Sequence, residues 1–202
     1  MLMVPRRLLT LVALCSLLSA TCYCTTHPAR ETTTRKQLSV PIEIQGYPCA
    51  AGYARFFDDG KLSSCFVSRE TAFGQVTVPE KSMIFLGHDG TPRFVFLAHD
   101  ADVNGYLCRG GGHDYSTALY PSGKLKTCWL AADSTVDGVP YMRAGFTADV
   151  FGGGVETDFY ENGKLKTCKL SRDFTIDSHA FREGNHVHLN TSGRLVQPNS
   201  SR

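Results

Sequence analysis

Residues 162–168 read NGKLKTC, and nearly the same phrase occurs at residues 122–128 (SGKLKTC) and 59–65 (DGKLSSC). Shorter copies follow at residues 89–93 (DGTPR) and 192–195 (SGRL). An Asn-Gly, Asp-Gly or Ser-Gly pair between apolar stretches predicts a β-hairpin, because glycine tolerates the positive φ that tight turns need. We therefore expect five repeat turns, each centred on one glycine: Gly60, Gly90, Gly123, Gly163 and Gly193.

The recurring turn predicts a repeat architecture with units of about 30 residues, because self-similarity at a fixed period is typical of repeat proteins. Apolar residues after position 40 show no sustained spacing of three and four, which argues against helices. A unit this short cannot bury its apolar face alone, so neighbouring units must supply the core. The sequence thus predicts an all-β fold, either a repeated β-hairpin meander or a solenoid-like curved sheet, of about five units.

The spacing inside the phrase predicts an irregularity in each hairpin. Leu125 lies three residues before Cys128, whereas Cys128 and Leu130 are two apart. Side chains of a regular strand alternate between faces, so Leu125 would point away from the other two. A β-bulge or a sharp bend between the Leu and the Cys would return all three to one face.

Residues 160–166 (YENGKLK) resemble the MORN-type repeat, and more closely bacterial exported proteins that carry MORN-like repeats of the antitoxin type. The resemblance covers residues 41–197. It implies a sheet of β-hairpin repeats that serves for contact rather than for chemistry. It also admits a role as the immunity-type partner of a toxin.

The N-terminus has the order of a secretory signal, which we assign to residues 1–24. Arg6 and Arg7 precede an apolar run at residues 8–18, and small residues follow at 19–21. The run is shorter than the ~20 apolar residues of a membrane span, so we expect no transmembrane span in the mature chain. Residues 25–40, rich in Thr and charge, predict a flexible linker before a β-repeat domain at residues 41–202.

Two mature forms remain open, because Cys22 follows small residues as it does in a bacterial lipoprotein signal. Cleavage after Ala20 would release a free chain, whereas acylation of Cys22 would leave a lipid anchor. The expected location is secreted, periplasmic or in the cell envelope, and the anchored form would be an outer-membrane lipoprotein.

Cysteines occupy two positions within the unit. Cys49 matches Cys108, and Cys65 matches Cys128 and Cys168. Both positions are filled in the first and third units, which favours disulfides Cys49–Cys65 and Cys108–Cys128 in an oxidising compartment and leaves Cys168 unpaired. The alternative is that all five are buried thiols that pack as small apolar residues.

One cluster suggests a metal site. His186 and His188 are two residues apart, so a strand would place both imidazoles on one face, and His179 could come from the preceding strand. The alternative is a polar outer face on the last strand of the array. The chain lacks the G-x-S-x-G, HExxH and P-loop motifs, so we expect neither an enzyme nor a cofactor.

Charge limits the class of partner. Residues 41–202 carry 16 basic and 18 acidic side chains, a net charge of −2, which excludes the basic footprint of a nucleic-acid binder. The expected function is an exported, non-enzymatic module for binding or envelope structure, with a protein or glycan partner. The alternative is a metal-binding protein or metal-dependent hydrolase. Seven aromatic residues either line one face for such a partner or fill the core: Tyr53, Phe56, Phe57, Tyr120, Trp129, Phe159 and Tyr160.

Overall fold

The computed structural model describes residues 32–112, 114–144 and 156–196, all of which belong to one unit of the chain, residues 31–202. The predicted signal at residues 1–24, with Cys22, lies outside the described residues. Every regular element within the described ranges is a β-strand, as the sequence predicts. Those ranges contain no helix with the length and apolar character that crossing a membrane requires.

The described residues form twenty strands, in which small hairpins of three-residue strands alternate along the chain with the strands of one larger sheet. In chain order they are β1 (Thr33–Leu38), β2 (Ile42–Ile44), β3 (Tyr47–Cys49), β4 (Gly52–Phe57), β5 (Leu62–Phe66), β6 (Thr71–Phe73), β7 (Val76–Val78), β8 (Met83–Leu86), β9 (Pro92–Phe96), β10 (Ala101–Val103), β11 (Tyr106–Cys108), β12 (Ser116–Leu119), β13 (Leu125–Cys128), β14 (Ser134–Val136), β15 (Val139–Tyr141), β16 (Thr157–Phe159), β17 (Leu165–Lys169), β18 (Phe174–Ile176), β19 (His179–Phe181) and β20 (His186–His188).

Ten of these strands form one antiparallel sheet in the order β1-β4-β5-β8-β9-β12-β13-β16-β17-β20. Each strand pairs with the one that follows it within the sheet, so the sheet is a meander, and it does not close on itself. This arrangement confirms the predicted meander of β-hairpins. The sheet ends at β1 on one side and at β20 on the other.

Five small hairpins form a second layer: β2–β3, β6–β7, β10–β11, β14–β15 and β18–β19. Each lies in the chain just before a longer strand pair or, for the last, before β20. Their buried side chains, among them Phe73, Val78 and Ile176, belong to the same core cluster as Leu62 and Ile84 of the main sheet. The small hairpins therefore cover one face of the main sheet, and neighbouring units share one core.

The repeat turns share one backbone geometry. The five glycines at their centres have φ between 77° and 83°. In the third turn the Gly123 N–H donates to the Tyr120 carbonyl at 2.8 Å, and the Tyr120 N–H donates to the Lys124 carbonyl at 2.8 Å. This positive φ is the reason for a glycine there, since other residues adopt it only with strain.

A β-bulge occurs in each main hairpin at the place that the apolar spacing predicts. In the third hairpin Ala118 pairs with Thr127 and Leu119 pairs with Leu125, so Lys126 is the extra residue. The same shift interrupts the pairing of β4 with β5, β8 with β9 and β16 with β17. As a result Leu125 and Cys128 are both buried on the covered face.

The turns of the small hairpins are hydrogen-bonded to the main sheet. Asn104 has a φ of 54°, and its side-chain oxygen accepts a bond from the Leu125 N–H at 2.9 Å. Asp177 has a φ of 49° and accepts from the Leu195 N–H at 2.8 Å. Asn and Asp tolerate positive φ better than most residues, so one side chain forms the turn and joins the two layers.

The structure corrects one boundary. Residues 33–38 were expected to belong to a flexible linker, but they form β1, which pairs with β4 over six positions from Thr33↔Phe57 to Leu38↔Gly52. Their Thr and Arg side chains suit an exposed edge strand, where charge discourages pairing with other chains. Polar composition therefore indicated an edge of the sheet rather than a linker.

Candidate binding surface

The second face of the main sheet is not covered by the small hairpins, and we call it the open face. Side chains alternate along each strand, so residues on either side of a core residue point to the open face. One row crosses all ten strands, each residue paired with the next: Arg35, Arg55, Ser64, Phe85, Phe94, Ala118, Thr127, Asp158, Thr167 and His188.

The centre of the open face is aromatic. Phe85 and Phe94 are stacked with ring centroids 4.2 Å apart, and Phe96 meets them edge-on at 5.7 and 5.8 Å. Phe66 stands beside them in the next row, paired with Met83, and 39% of its surface is exposed. An apolar patch of this kind on a folded surface marks a binding site more often than chance exposure does.

One side of this centre is basic. Arg35 on β1 and Arg55 on β4 pair directly with each other, and both side chains are exposed. The guanidinium of Arg35 lies 3.3 Å from the centre of the Tyr53 ring, which is 53% exposed. Two adjacent cations and an exposed ring thus occupy the β1 end of the open face.

The other side carries a fixed carboxylate. The hydroxyls of Thr127 and Thr167 donate to the two oxygens of Asp158 at 2.7 and 2.6 Å. These bonds hold Asp158 in one orientation on β16, half-buried on the open face. From β1 to β16 the open face therefore runs from two cations, through an apolar centre, to one carboxylate.

Two buried polar atoms on this face have no hydrogen-bond partner within the described part of the chain: Ser64 Oγ and Trp129 Nε1. The Trp129 ring packs edge-on against Tyr115, with centroids 5.8 Å apart. Native proteins leave few buried polar groups unpaired, since each costs about 1–3 kcal/mol. Ser64 pairs with Phe85 of the aromatic centre, and Trp129 directly follows β13.

The aromatic residues selected from the sequence are mostly structural. Phe56, Phe57 and Phe159 are buried. The hydroxyls of Tyr120 and Tyr160 donate to the carbonyls of Phe159 and Leu189 at 2.8 and 2.9 Å, which ties neighbouring hairpins together. Of the seven, only Tyr53 and Trp129 contribute to the open face.

The sequence reasoning missed the aromatic centre itself, although a signal was present. Residues 83–86 (MIFL) and 94–97 (FVFL) are unbroken apolar runs, whereas the equivalent strands of other units alternate with polar residues. A run of this kind predicts a strand that is apolar on both faces. The second unit thus had to present Phe85 and Phe94 on the face opposite the core.

The predicted metal cluster does not assemble. His186 and His188 are exposed on the open face of β20, on either side of the core residue Val187. His179 lies on β19 in the small-hairpin layer, with its Nδ1 2.9 Å from the Asp177 carbonyl oxygen. Within the described ranges, no three His, Cys, Asp or Glu side chains lie close enough together to hold a metal ion.

The Cys49–Cys65 disulfide is present, with the two Cα atoms 5.7 Å apart, as the sequence predicts. Cys108 and Cys128 occupy the equivalent positions but are free, buried thiols, hydrogen-bonded to each other in place of the expected disulfide. Burial, and then the neighbouring Cys128, raise the pKa of Cys108. Burial raises the pKa of Cys168 to about 12. The Cys108 and Cys168 thiols therefore stay protonated at neutral pH and are poor nucleophiles.

The fold and the open face define a class, an all-β protein in which hairpin repeats form an open, two-layered antiparallel meander. Comparison of the chain with protein-family models, with curated proteins and with solved structures found no match in any of the three. The surface chemistry of the open face is therefore the basis on which a function can be inferred.

Proposed function

We propose that this chain is an exported, non-enzymatic β-repeat module that binds a partner through its open face. The observation that carries the proposal is the aromatic centre formed by Phe66, Phe85 and Phe94, which lies on the face that no described small hairpin covers. Leaving these rings in water is unfavourable by roughly 25 cal/mol per Å² of apolar surface, and a partner removes that penalty on binding. The small-hairpin layer offers no comparable aromatic cluster among the described residues.

Export is supported by two independent features. Residues 1–24 have the signal pattern, and the Cys49–Cys65 disulfide suits an oxidising compartment. The location is then secreted, periplasmic or at the cell envelope. Acylation of Cys22 would instead hold the module at a membrane as a lipoprotein. The MORN-like resemblance supports a role in contact, and within it an immunity-type role is the more specific version.

A protein partner fits the open face better than a glycan. Phe66, Met83, Phe85 and Phe94 carry no hydrogen-bonding groups. Sugar-binding sites combine a ring face with several polar groups that bond the hydroxyls, and protein interfaces place apolar cores inside a polar rim. Arg35, Arg55 and Asp158 supply such a rim on the two sides of the aromatic centre.

The metal-binding alternative has one observation in its favour. His186 and His188 point to the same face of β20 and line an open depression of about 550 Å³ with Tyr160, Phe181 and Leu195. Two imidazoles are half of a tetrahedral zinc site, so a metal would need further ligands from elsewhere. The aromatic centre makes partner binding the stronger proposal.

Site-specific photocrosslinking in cells of the native host tests the proposal. A photoreactive phenylalanine is placed at Phe66 on the open face or, as a matched control, at Leu107, which is 45% exposed on the small-hairpin layer. We expect a crosslinked adduct from position 66 and none from position 107. No adduct at either position, or equal adducts at both, would contradict binding through the open face.

A further inference from the structure

We propose that the occupant of the open face is a second copy of this chain, packed face to face across a two-fold axis. This inference rests on the proposed function, because it names the partner of the same surface. The axis runs parallel to the strands, midway between β8 and β9. Closed two-fold dimers are the commonest oligomers, and their interfaces must be complementary to themselves.

The register of the sheet is what makes the open face complementary to itself. A two-fold axis between β8 and β9 places each residue of the row opposite a residue of the second copy. The two facing residues lie the same number of strands from the axis, on opposite sides of it. Phe85 then faces Phe94 of the second copy, since these two residues are paired across the axis. Aromatic rings meet aromatic rings at the centre, where a dimer interface is normally most apolar.

Small residues come next along the row. Ser64 lies one strand beyond Phe85, and Ala118 lies one strand beyond Phe94. These two positions face each other across the axis. In the neighbouring row the protruding Phe66 faces Ser116 of the second copy, because Phe66 pairs with Met83 and Ser116 with Phe96. At this position a large side chain meets a small one, the complementarity that favours close packing between sheets.

Opposite charges meet at the ends of the row. Arg35 is the fourth residue out from the axis on one side, and Asp158 is the fourth on the other, counted along the pairings of the row. The two-fold axis places Arg35 of each copy opposite Asp158 of the other, twice per dimer. Packed sheets lie about 10 Å apart, a gap that an arginine side chain and an aspartate can bridge together.

The Asp158 carboxylate can accept such a bond without losing its present partners. Thr127 and Thr167 each occupy one of its oxygens. A carboxylate offers about four lone-pair sites, so acceptors remain for a guanidinium. Arg55 faces Thr127 of the second copy, next to the same carboxylate, and adds to the attraction.

The size of the face sets the expected affinity. The eight strands from β1 to β16 span about 38 Å, and strands of this length cover about 15 Å, which leaves roughly 570 Å² per copy. That value lies below the ~800 Å² per partner of a standard stable interface. We therefore expect a dimer with a dissociation constant in the micromolar range.

Sedimentation velocity of the mature protein, from about 1 to about 100 μM, tests the dimer, a range that brackets a micromolar dissociation constant. We expect a concentration-dependent shift from monomer to dimer. Arg35→Glu and Asp158→Lys should each weaken association at least about tenfold, since a removed ion pair gives way to like charges. The double variant Arg35→Glu/Asp158→Lys should recover most of the loss, because the pair is restored with its signs exchanged.

Lys36→Glu is the matched control. Lys36 is adjacent to Arg35 on β1 but faces the core side, with its ammonium 4.8 Å from the centre of the Phe56 ring. The same change of charge there should leave association unaltered. If Asp158→Lys fails to fold, as circular dichroism would reveal, the contrast between Arg35→Glu and Lys36→Glu still decides the matter.

The outcomes separate this inference from the proposed function. A chain that stays monomeric over the whole range, or a double variant no better than its single variants, overturns the two-fold dimer. Adducts from the probe at position 66 with another protein would then preserve the proposed function with a different partner. Adducts at twice the mass of the chain would support both.

Discussion

At the scale of single residues, Gly123 and Gly163 show that a glycine can be required for its backbone conformation alone or for both conformation and packing. They occupy the same position in two repeat turns, and each has a φ of 82°. Around Gly163 there is open space, so only its φ requires glycine. At Gly123 a Cβ would lie 2.6 Å from the Gln75 backbone nitrogen, because the small hairpin of the second unit presses against this turn. Gly123 is therefore required by both conformation and packing.

Replacing each glycine by alanine separates the two requirements. Gly163→Ala should lower the free energy of unfolding by about 1–2 kcal/mol, the penalty of a left-handed conformation for a residue with a Cβ. Gly123→Ala should lower it further, since the backbone at Gly74 and Gln75 must move. Urea unfolding of the two variants gives the comparison. Equal losses would show that the close approach carries no stability.

At the scale of elements, the same inter-layer position is filled in different ways along the array. The first unit has the Cys49–Cys65 disulfide, and the second has Val78 and Val95, both fully buried. The third has the Cys108 thiol with Cys128. Each pair joins a small hairpin to the main sheet. A covalent bond in one unit and apolar packing in another therefore hold the two layers together at the same position.

The second unit has valines at the two positions of the disulfide, so valine substitutions can test the disulfide without leaving a polar group in the core. Cys49→Val/Cys65→Val should lower the free energy of unfolding by about 3 kcal/mol, the chain-entropy value for a loop of this size. Thermal unfolding with and without reductant makes the measurement. Reductant should change the thermal unfolding of the variant only if Cys108 and Cys128 are oxidised in the exported protein. If reductant does not change the thermal unfolding of the wild-type chain, the Cys49–Cys65 disulfide is contradicted.

At the scale of the whole molecule, the sheet is open, and its two edges are protected differently. β20 is only three residues long. β1 is six residues long and carries Arg35 and Lys36, so it covers β4 with a charged outer strand. Short or charged edges are the usual defences against edge-to-edge aggregation.

Removing β1 should therefore cause aggregation in addition to any loss of stability. A chain beginning at residue 39 would expose the edge of β4, with Phe56 and Phe57 behind it, and we expect it to aggregate. A chain beginning at residue 32 retains β1 and is the control. Light scattering at matched concentrations compares them, and a soluble, monodisperse shorter chain would show that β1 does not protect the sheet.

The open face also shows where sequence reasoning reached its limit. The turn glycines, the bulge between Leu125 and Cys128 and the Cys49–Cys65 pair all follow from local spacing and could be predicted. The aromatic centre was readable in the apolar runs of the second unit but was not recognised. The three predicted histidines do not come together among the described residues, because adjacency in the sequence does not say that His179 lies in a different layer from His186 and His188.

The sequence by itself determined that this protein is a β-hairpin repeat, because glycine at a positive φ and apolar spacing act over a few residues. Only the tertiary structure decided that all the small hairpins cover the same face and that Thr33–Leu38 is an edge strand. Those features depend on contacts between distant residues, since burial is a property of the assembled layers. The same contacts place Arg35, Phe85 and Asp158 along one row of the open face.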